Sequence, residues 1–511
     1  MRTPRTPLTL ALFTLVSCGG DPPARPLPAG MLMGAATAGY QVDMGCPTLP
    51  ASVCADPNTD WYQYSVSPQV QALGHTYLAG QDPAVVGPGH WELFAQDFDL
   101  AVAEGHTGFR MSLEWSRIFP TSTVGLDGFA ALHAHANPDA LAHYHAVFAA
   151  LKARGLTPYV TINHYTLPSW IHDGAGCTLD YAHCTARGWD DPATTIPEIT
   201  KYAGFVAQEF GGEVDRWATE NEPFALVLPG YLMPSESRSN PPAQSLDAAS
   251  AKRVFNALIT AHARMYDAVH AADTVDADGD GVAADVGLVF AMVPVVAKDP
   301  TNPADALAAK NVFYLYNMAF LNAVAGGVLD EDLTGVGVPH PELAHRMDHL
   351  GINYYVRATV EGADGPVLPD LSPLTTFNPF RVSQDEVYPR GVYELMTLVH
   401  TQFGVPVVIS ENNGGGLPAL DYAKEEKNLT EEFQWMLRAV DEGVPLKGYY
   451  YWTLMDNVEW NHGVMKYGLY AVDPADPTKA RVRRPHADLL KRFATERRIP
   501  GDLIAKYPIS E

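Results

Sequence analysis

The stretch Arg216-Trp217-Ala218-Thr219-Glu220-Asn221-Glu222-Pro223 decides the reading of this chain. It reads as the end of a buried strand that delivers an amide and a carboxylate, side by side, into a pocket, with Pro223 ending the strand so that a loop begins at the chemistry. A glutamate beside an asparagine suits a proton donor paired with a group that holds a substrate hydroxyl. A lone strand-end glutamate serves equally well as a salt-bridge partner, so the reading needs a second carboxylate, and Glu411 in Val408-Ile409-Ser410-Glu411-Asn412 supplies one.

Outward from that stretch, apolar β-rich segments alternate with helical patterns, the signature of parallel βαβ units. The candidate strands are residues 31–37, 109–113, 158–163, 214–219, 286–292, 349–354, 405–410 and 447–453. Between them, residues 90–104 place Trp91, Phe94, Phe98 and Val102 at helical spacing, residues 141–154 form an amphipathic pattern closed by Gly155, and residues 202–210 and 248–270 are helical. Eight such alternations predict one (β/α)8 TIM barrel with long strand-end loops over residues 31–511. In such barrels the chemistry lies at the carboxyl ends of the strands. Arg110 falls in the second strand, His164 ends the third, Asn221 and Glu222 end the fourth, Asn353 and Tyr355 end the sixth, Glu411 the seventh and Trp452 the eighth. Taken singly, Trp452 and Trp460 read equally as core aromatics, His164 as a satisfied structural histidine and Arg110 as the neutraliser of a buried carboxylate. Their joint position on one rim predicts a pocket lined for a polyhydroxylated ligand.

A chain of 511 residues with 47% hydrophobic content buries a large core. Its net charge of -25, with no basic stripe, excludes nucleic acid as a partner. Residues 1–18 carry Arg2 and Arg5, then an apolar run ending Leu15-Val16-Ser17-Cys18-Gly19. This is too short to span a bilayer and reads as a secretory signal of lipoprotein type, with Cys18 the lipidated residue and residues 19–30 a tether; an ordinary signal peptide is the alternative. The expected location is outside the cytoplasm, periplasmic or at the cell surface, with membrane contact only through the lipid at Cys18. Four further cysteines, Cys46, Cys54, Cys177 and Cys184, allow three pairings, and closeness in sequence favours Cys46–Cys54 and Cys177–Cys184. Neither pair has the two-residue spacing usual for zinc. The run Asp276-Ala277-Asp278-Gly279-Asp280-Gly281, with Asp285 beyond it, matches the start of a calcium loop; no glutamate closes it, and an acidic solvated turn is the alternative. Because the run precedes a strand, such a site would be structural and lie far from the catalytic rim. No cofactor is expected for catalysis.

At this point the ordered motifs resemble glycoside hydrolase family 1, the retaining β-glucosidase-like family. The resemblance rests on Ala35 to Gln41, on Phe109-Arg110-Met111-Ser112-Leu113-Glu114-Trp115-Ser116-Arg117-Ile118-Phe119-Pro120, on Thr219 to Pro223 and on Leu350-Gly351-Ile352-Asn353-Tyr354-Tyr355. It continues in Val408 to Asn412 and in Trp452 to Trp460. It implies Glu222 as general acid/base and Glu411 as nucleophile, two carboxyl groups about 5 to 5.5 Å apart in a retaining enzyme. It also implies Arg110 and Tyr355 as holders of the nucleophile, Asn221 as partner of the sugar 2-hydroxyl, and Gln41, His164, Asn353, Glu459 and Trp460 as sugar binders above a floor of Trp452. The chain departs from the family pattern at Tyr165, where the family has tryptophan, at Asn413, where it has glycine, and at Val458, where it has an aromatic. The carboxylate of Glu459 disfavours a sugar 6-phosphate.

The expected activity is removal of terminal non-reducing β-D-glycosyl residues, glucosyl, galactosyl or fucosyl, by double displacement. The alternatives are a non-catalytic sugar-binding lipoprotein on the same fold and a transglycosylase. Contacts to the leaving group are expected from loops such as residues 361–388.

Overall fold

A computed structural model describes residues 21–510 apart from 75–80, 236–237, 364, 366, 368, 372, 378–380 and 416–420. Eight parallel strands close a barrel: β1 Leu32–Ala36, β2 Gly108–Ser112, β3 Thr157–Asn163, β4 Arg216–Asn221, β5 Asp285–Ala291, β6 His349–Asn353, β7 Val407–Asn412 and β8 Leu446–Trp452. Each is hydrogen-bonded to the next, and β8 returns to β1 through pairs running from Gly448–Leu32 to Trp452–Ala36. The intervening helices are α1 His90–Ala103, α2 Pro138–Ala153, α3 Pro192–Phe210, α4 Ala248–Ala272, α5 Ala319–Gly326, α6 Gly391–Phe403, α7 Tyr422–Asp441 and α8 Ala487–Glu496. Their starts are capped as the sequence dictates: Asn137, Asp247 and Asp421 accept hydrogen bonds from backbone N–H groups of α2, α4 and α7.

Side chains alternate along each strand between a barrel interior and a shell under the helices. The interior holds Ala36, Tyr159, Ala218, Val289, Val408, Tyr450 and Trp452. The shell takes Met33, Phe109, Trp217, Leu288, Ile352 and Ile409. Tyr450 fits the interior because a glycine faces it: a Cβ on Gly34 would stand 2.8 Å from the Tyr450 ring and 2.4 Å from the carbonyl of Gly108.

The structure differs from the sequence reading at several edges. The strands that carry Asn221 and Glu411 run further than expected, through Asn221 and Asn412, and Pro223 opens a short helix, Pro223–Val227, rather than an irregular loop. Proline suits that first helical position because its missing N–H has no partner there. The proposed tether is in part folded: Arg25–Pro26 pairs with Arg498–Ile499, and Leu27 is buried. Backbone pairing and an apolar side chain draw these residues onto the body. Residues 1–18, with the expected lipidation at Cys18, lie outside the described residues. Cysteines pair as Cys46–Cys54 and Cys177–Cys184, with Cα separations of 6.0 and 5.0 Å.

Candidate active site

The carboxyl ends of the strands enclose a pocket of about 370 Å³. Gln41, His164, Asn221, Glu222, Tyr355, Glu411, Trp452, Glu459 and Trp460 all line it. Arg110 and Asn353 stand directly behind them, both buried.

One connected network joins the two carboxylates. Arg110 in β2 donates through Nη1 to Glu411 Oε1 at 2.5 Å and through Nη2 to Asn221 Oδ1 at 2.8 Å. Asn353 at the end of β6 donates through Nδ2 to Asn221 Oδ1 at 3.2 Å and to Glu222 Oε1 at 2.7 Å. Ser410 Oγ donates to Asn353 Oδ1 at 2.7 Å, which fixes the amide the other way round from its partners. Tyr355 donates to the remaining oxygen of Glu411 at 2.7 Å. On the opposite wall Tyr165 donates to Glu222 Oε2 at 2.5 Å.

Strand irregularities aim these side chains. Between β6 and β7, Ile352 pairs with Ile409 and Asn353 with Glu411, so Ser410 is an extra residue. Between β4 and β5, Ala218 pairs with Gly287 and Asn221 with Val289, again with an extra residue before the amide. Such bulges re-aim the residue that follows. Glu222 then takes a left-handed backbone, φ 48°, while its N–H donates to Val289 O at 2.9 Å, so the chain turns sharply at the carboxylate.

Electrostatics separate the two glutamates. Burial raises the Glu411 carboxyl to about 7; Arg110 pulls it down, and the charge of Glu222 pushes it up. The guanidinium of Arg110 sits on Glu411, whereas the hydrogen bonds to Glu222 among the described residues come from the neutral donors Asn353 and Tyr165, so the arrangement with Glu411 ionised is favoured. Burial also raises Glu459 to about 7, against the pull of Arg238, and its carboxylate accepts from Gln41 Nε2 at 2.9 Å. His164 is held well below the ordinary imidazole value by burial and, next, by Arg110, and so binds as a neutral ring. It stacks on Trp460 at 5.8 Å and lies parallel to Trp452 at 6.3 Å.

Two pocket residues escape sequence reading. Arg238 lies between β4 and α4 in the loop Met233-Pro234-Ser235 onward, with no motif around it. Its charge is stabilised by Tyr165, Glu222 and Glu459, and only its place after a barrel strand hinted at a role. Tyr165 was visible as a departure, but nothing in the sequence showed that its phenol reaches the acid/base candidate.

The profile of glycosyl hydrolase family 1 matches residues 24–499. The chain belongs to glycosyl hydrolase family 1. A β-galactosidase of Pyrococcus woesei is 31% identical over 499 residues, covering 89% of this chain and 94% of that protein. Beta-glucosidase A of Thermotoga maritima is 26% identical, covering 87% and 93%. The crystal structure of the β-glycosidase of Thermosphaera aggregans superposes with a TM-score of 0.77 at 27% identity, covering 95% of this chain and all of that one. As a family 1 member the chain is a glycoside hydrolase, a retaining β-glycosidase.

The acidic run at the opposite end of the barrel corrects one expectation. Asp285 opens β5 and bonds His349 Nδ1 at 2.6 Å, apart from the carboxylates that converge in this loop. Asp280 turns to the N–H of Val282. The carboxylates that approach one another are Asp215, Asp276 and Asp278, within 4.8 Å, so the residue just before β4 stands in for the two that leave.

Proposed function

We propose that this family 1 enzyme removes one terminal non-reducing β-D-glucosyl or β-D-galactosyl residue per event, with fucosyl residues a further candidate. The observation that carries the reading is the asymmetric pair: Glu411 clamped by Arg110 and Tyr355 on one wall, and Glu222 supported by Asn353 and Tyr165 on the other. A pocket lined for one sugar supports action at chain ends. The names of the relatives support both the glucosyl and the galactosyl series.

In the first step a Glu411 oxygen bonds to the anomeric carbon as the bond to the leaving oxygen breaks, and Glu222 gives that oxygen its proton. Arg110 and Tyr355 keep the nucleophile ionised and fixed, and the amide of Asn221, held by Arg110, is positioned for the 2-hydroxyl. In the second step Glu222, now a carboxylate, takes a proton from water, the water oxygen bonds to the anomeric carbon and Glu411 departs. A pure binding protein has no use for this matched pair. Azide separates the roles. Glu411→Ala should lose turnover on every leaving group and be rescued to the α-glycosyl azide; Glu222→Ala should still release activated phenols and be rescued to the β-glycosyl azide. The reverse pattern would exchange the two assignments.

The Gln41–Glu459 pair supports unphosphorylated sugars, since a carboxylate there repels a 6-phosphate. A 4-nitrophenyl glucoside turned over no faster than its 6-phosphate would remove that part. The lipobox-like Leu15-Val16-Ser17-Cys18 supports an exported lipoprotein, and two short-range disulfides agree with an oxidising compartment. Cys18→Ser should shift the protein from the membrane to the soluble fraction. The approach of Asp215, Asp276 and Asp278 supports a structural calcium between α4 and β5. Calcium should then raise the melting temperature, and a chelator should lower it.

A further inference from the structure

A second, much smaller cavity meets the sugar pocket at Tyr165, which lines both. Its volume is about 10 Å³, and every residue around it is buried. It sits where three strand-end connections come together: those after β1, β3 and β4 supply Asp60, His172 and Tyr231 respectively.

Two residues of its wall carry a buried nitrogen that no protein group satisfies. His172 Nε2 and Trp189 Nε1 have no hydrogen-bond partner among the described residues, although the two residues are only 3% and 2% exposed. Their chemistry is complementary. His172 Nδ1 donates to Asp60 Oδ2 at 2.7 Å, and the tautomer with its proton on Nδ1 leaves Nε2 an acceptor. The indole N–H of Trp189 is a donor only. A water molecule satisfies both, since its oxygen accepts from the indole while one O–H donates to the imidazole. Its second O–H and second lone pair also have partners in the wall: the amide oxygen of Asn240, whose Nδ2 is turned to Ala225 O, and the hydroxyl of Tyr231. A cavity of this size holds one water, and convergent polar partners keep it there, whereas dry cavities are lined by apolar groups. Gly188 makes room for the site. A Cβ there would stand 2.9 Å from the His172 ring, and its φ of 59° suits glycine.

Asp60 links this cavity to the active site. Its Oδ1 accepts from the N–H of Trp61 at 2.8 Å and from that of Leu167 at 2.9 Å, and its own N–H donates to Leu167 O at 2.9 Å. Leu167 follows Tyr165 by two residues, while Trp61 packs on Trp460 at 4.7 Å and Trp460 meets Tyr165 edge-on at 4.8 Å. One carboxylate, oriented by His172, thus fixes two supports of the Tyr165 ring. We propose that the cavity is a binding site for one internal water held by His172 Nε2 and Trp189 Nε1, and that this water, through His172 and Asp60, keeps the Tyr165 phenol on Glu222.

The positioning role rests on Glu222 as the acid/base, and the test keeps the two apart. A crystal structure of the unmodified enzyme should show one ordered water within hydrogen-bond distance of both nitrogens. No density there, or a water bound to neither nitrogen, overturns the site. His172→Asn keeps a donor in the place of Nδ1 and deletes Nε2, and Trp189→Phe deletes the indole N–H. Both leave Asp60 in place, together with the charged groups that face Tyr165, which are Glu222, Arg238 and Glu411. Each should move the alkaline limb of kcat/KM to higher pH, by up to roughly the half unit to one unit that a single hydrogen bond carries. Neither should move it further in the Tyr165→Phe background. A limb that stays where it is, or one that moves as far with Tyr165→Phe as without it, overturns the positioning role. Azide products that exchange Glu222 and Glu411 would withdraw the acid/base assignment instead, and the density would still decide the water site. Where one variant fails to fold, as judged by its melting transition, the other removes a different partner of the same water.

Discussion

Tyr165, where the family pattern has tryptophan, aims its phenol at Glu222, the proposed acid/base. Its hydroxyl donates to Glu222 at 2.5 Å, and its own proton is held far more tightly than usual by burial and by the charge of Glu222. A hydrogen bond into a carboxylate favours the ionised form, so Tyr165 eases proton departure in the first step and weakens the base in the second. The other titratable or charged groups facing Glu222 are Arg238, Tyr316, Tyr355, Glu411 and Glu459, and Tyr165→Phe keeps every one of these residues. Tyr165→Phe should therefore move the alkaline limb of kcat/KM to higher pH, by roughly half a unit to one unit, the size expected for one hydrogen bond. Substrates with poor leaving groups should show the shift, while kcat for activated aryl glycosides limited by the second step should not fall with it, because the Glu222 carboxylate becomes the stronger base. An unmoved limb with an equal loss on all substrates would reduce Tyr165 to a packing residue. The sequence exposed this position as an oddity, but the direction in which a phenol points depends on backbone geometry, here a φ of 70°, that residue types do not encode.

At the scale of elements, the strands were legible because parallel barrel strands are buried on both faces and read as continuous apolar runs. Their last residues were not. With Val408 facing the barrel interior, strict alternation would put Ser410 inside and Glu411 under the helices. The extra residue at Ser410 turns Glu411 into the pocket, and a bulge of this kind leaves no mark in hydrophobic periodicity. The calcium reading failed at Asp285 for a related reason: the spacing was right for a loop, but His349 on the neighbouring strand claimed the carboxylate. The disulfides, by contrast, were legible from spacing alone. Cys46–Cys54 lies in the connection after β1 that carries Gln41, and Cys177–Cys184 in the connection after β3 that carries His164 and Tyr165. Each closes a loop of seven or eight residues' separation, so opening either one should cost about 2 to 3 kcal/mol by loop entropy. Cys46→Ser/Cys54→Ser and Cys177→Ser/Cys184→Ser should each lower the unfolding free energy in urea by that amount and raise KM more than they lower kcat. Stability unchanged in both double variants would mean that the loops are ordered without their bridges.

For the whole molecule, burial of ionisable groups sets the pH range of stability. Burial raises Glu114, Glu425 and Glu459 to about 7 and Glu432 to about 8, all from an ordinary value of 4.5. Each is neutral in the folded chain at a pH where the unfolded chain is already ionised. The folded state then binds more protons, and stability falls as pH rises toward and through the folded values. Buried histidines act in the opposite sense. Burial lowers His106, His262 and His486 to about 4 and His143 to about 3, from 6.5, so stability rises with pH until the unfolded histidines lose their protons near 6.5. The two sets oppose each other between about pH 5 and 6.5, and stability is level there. Above 6.5 the histidines are neutral in both states and the carboxyls act alone, with the net charge of -25 adding self-repulsion in the same direction. The melting temperature should hold steady from pH 5.5 to 6.5 and then fall by roughly 5 °C or more by pH 8.5. Differential scanning calorimetry across that range checks this, and a melting temperature that climbs between pH 6.5 and 8.5 would mean that these carboxyls are already ionised inside the fold. Glu459→Gln and Glu432→Gln each remove one of the groups that must ionise, and each should flatten the alkaline decline, the first at the expense of sugar binding and the second without it.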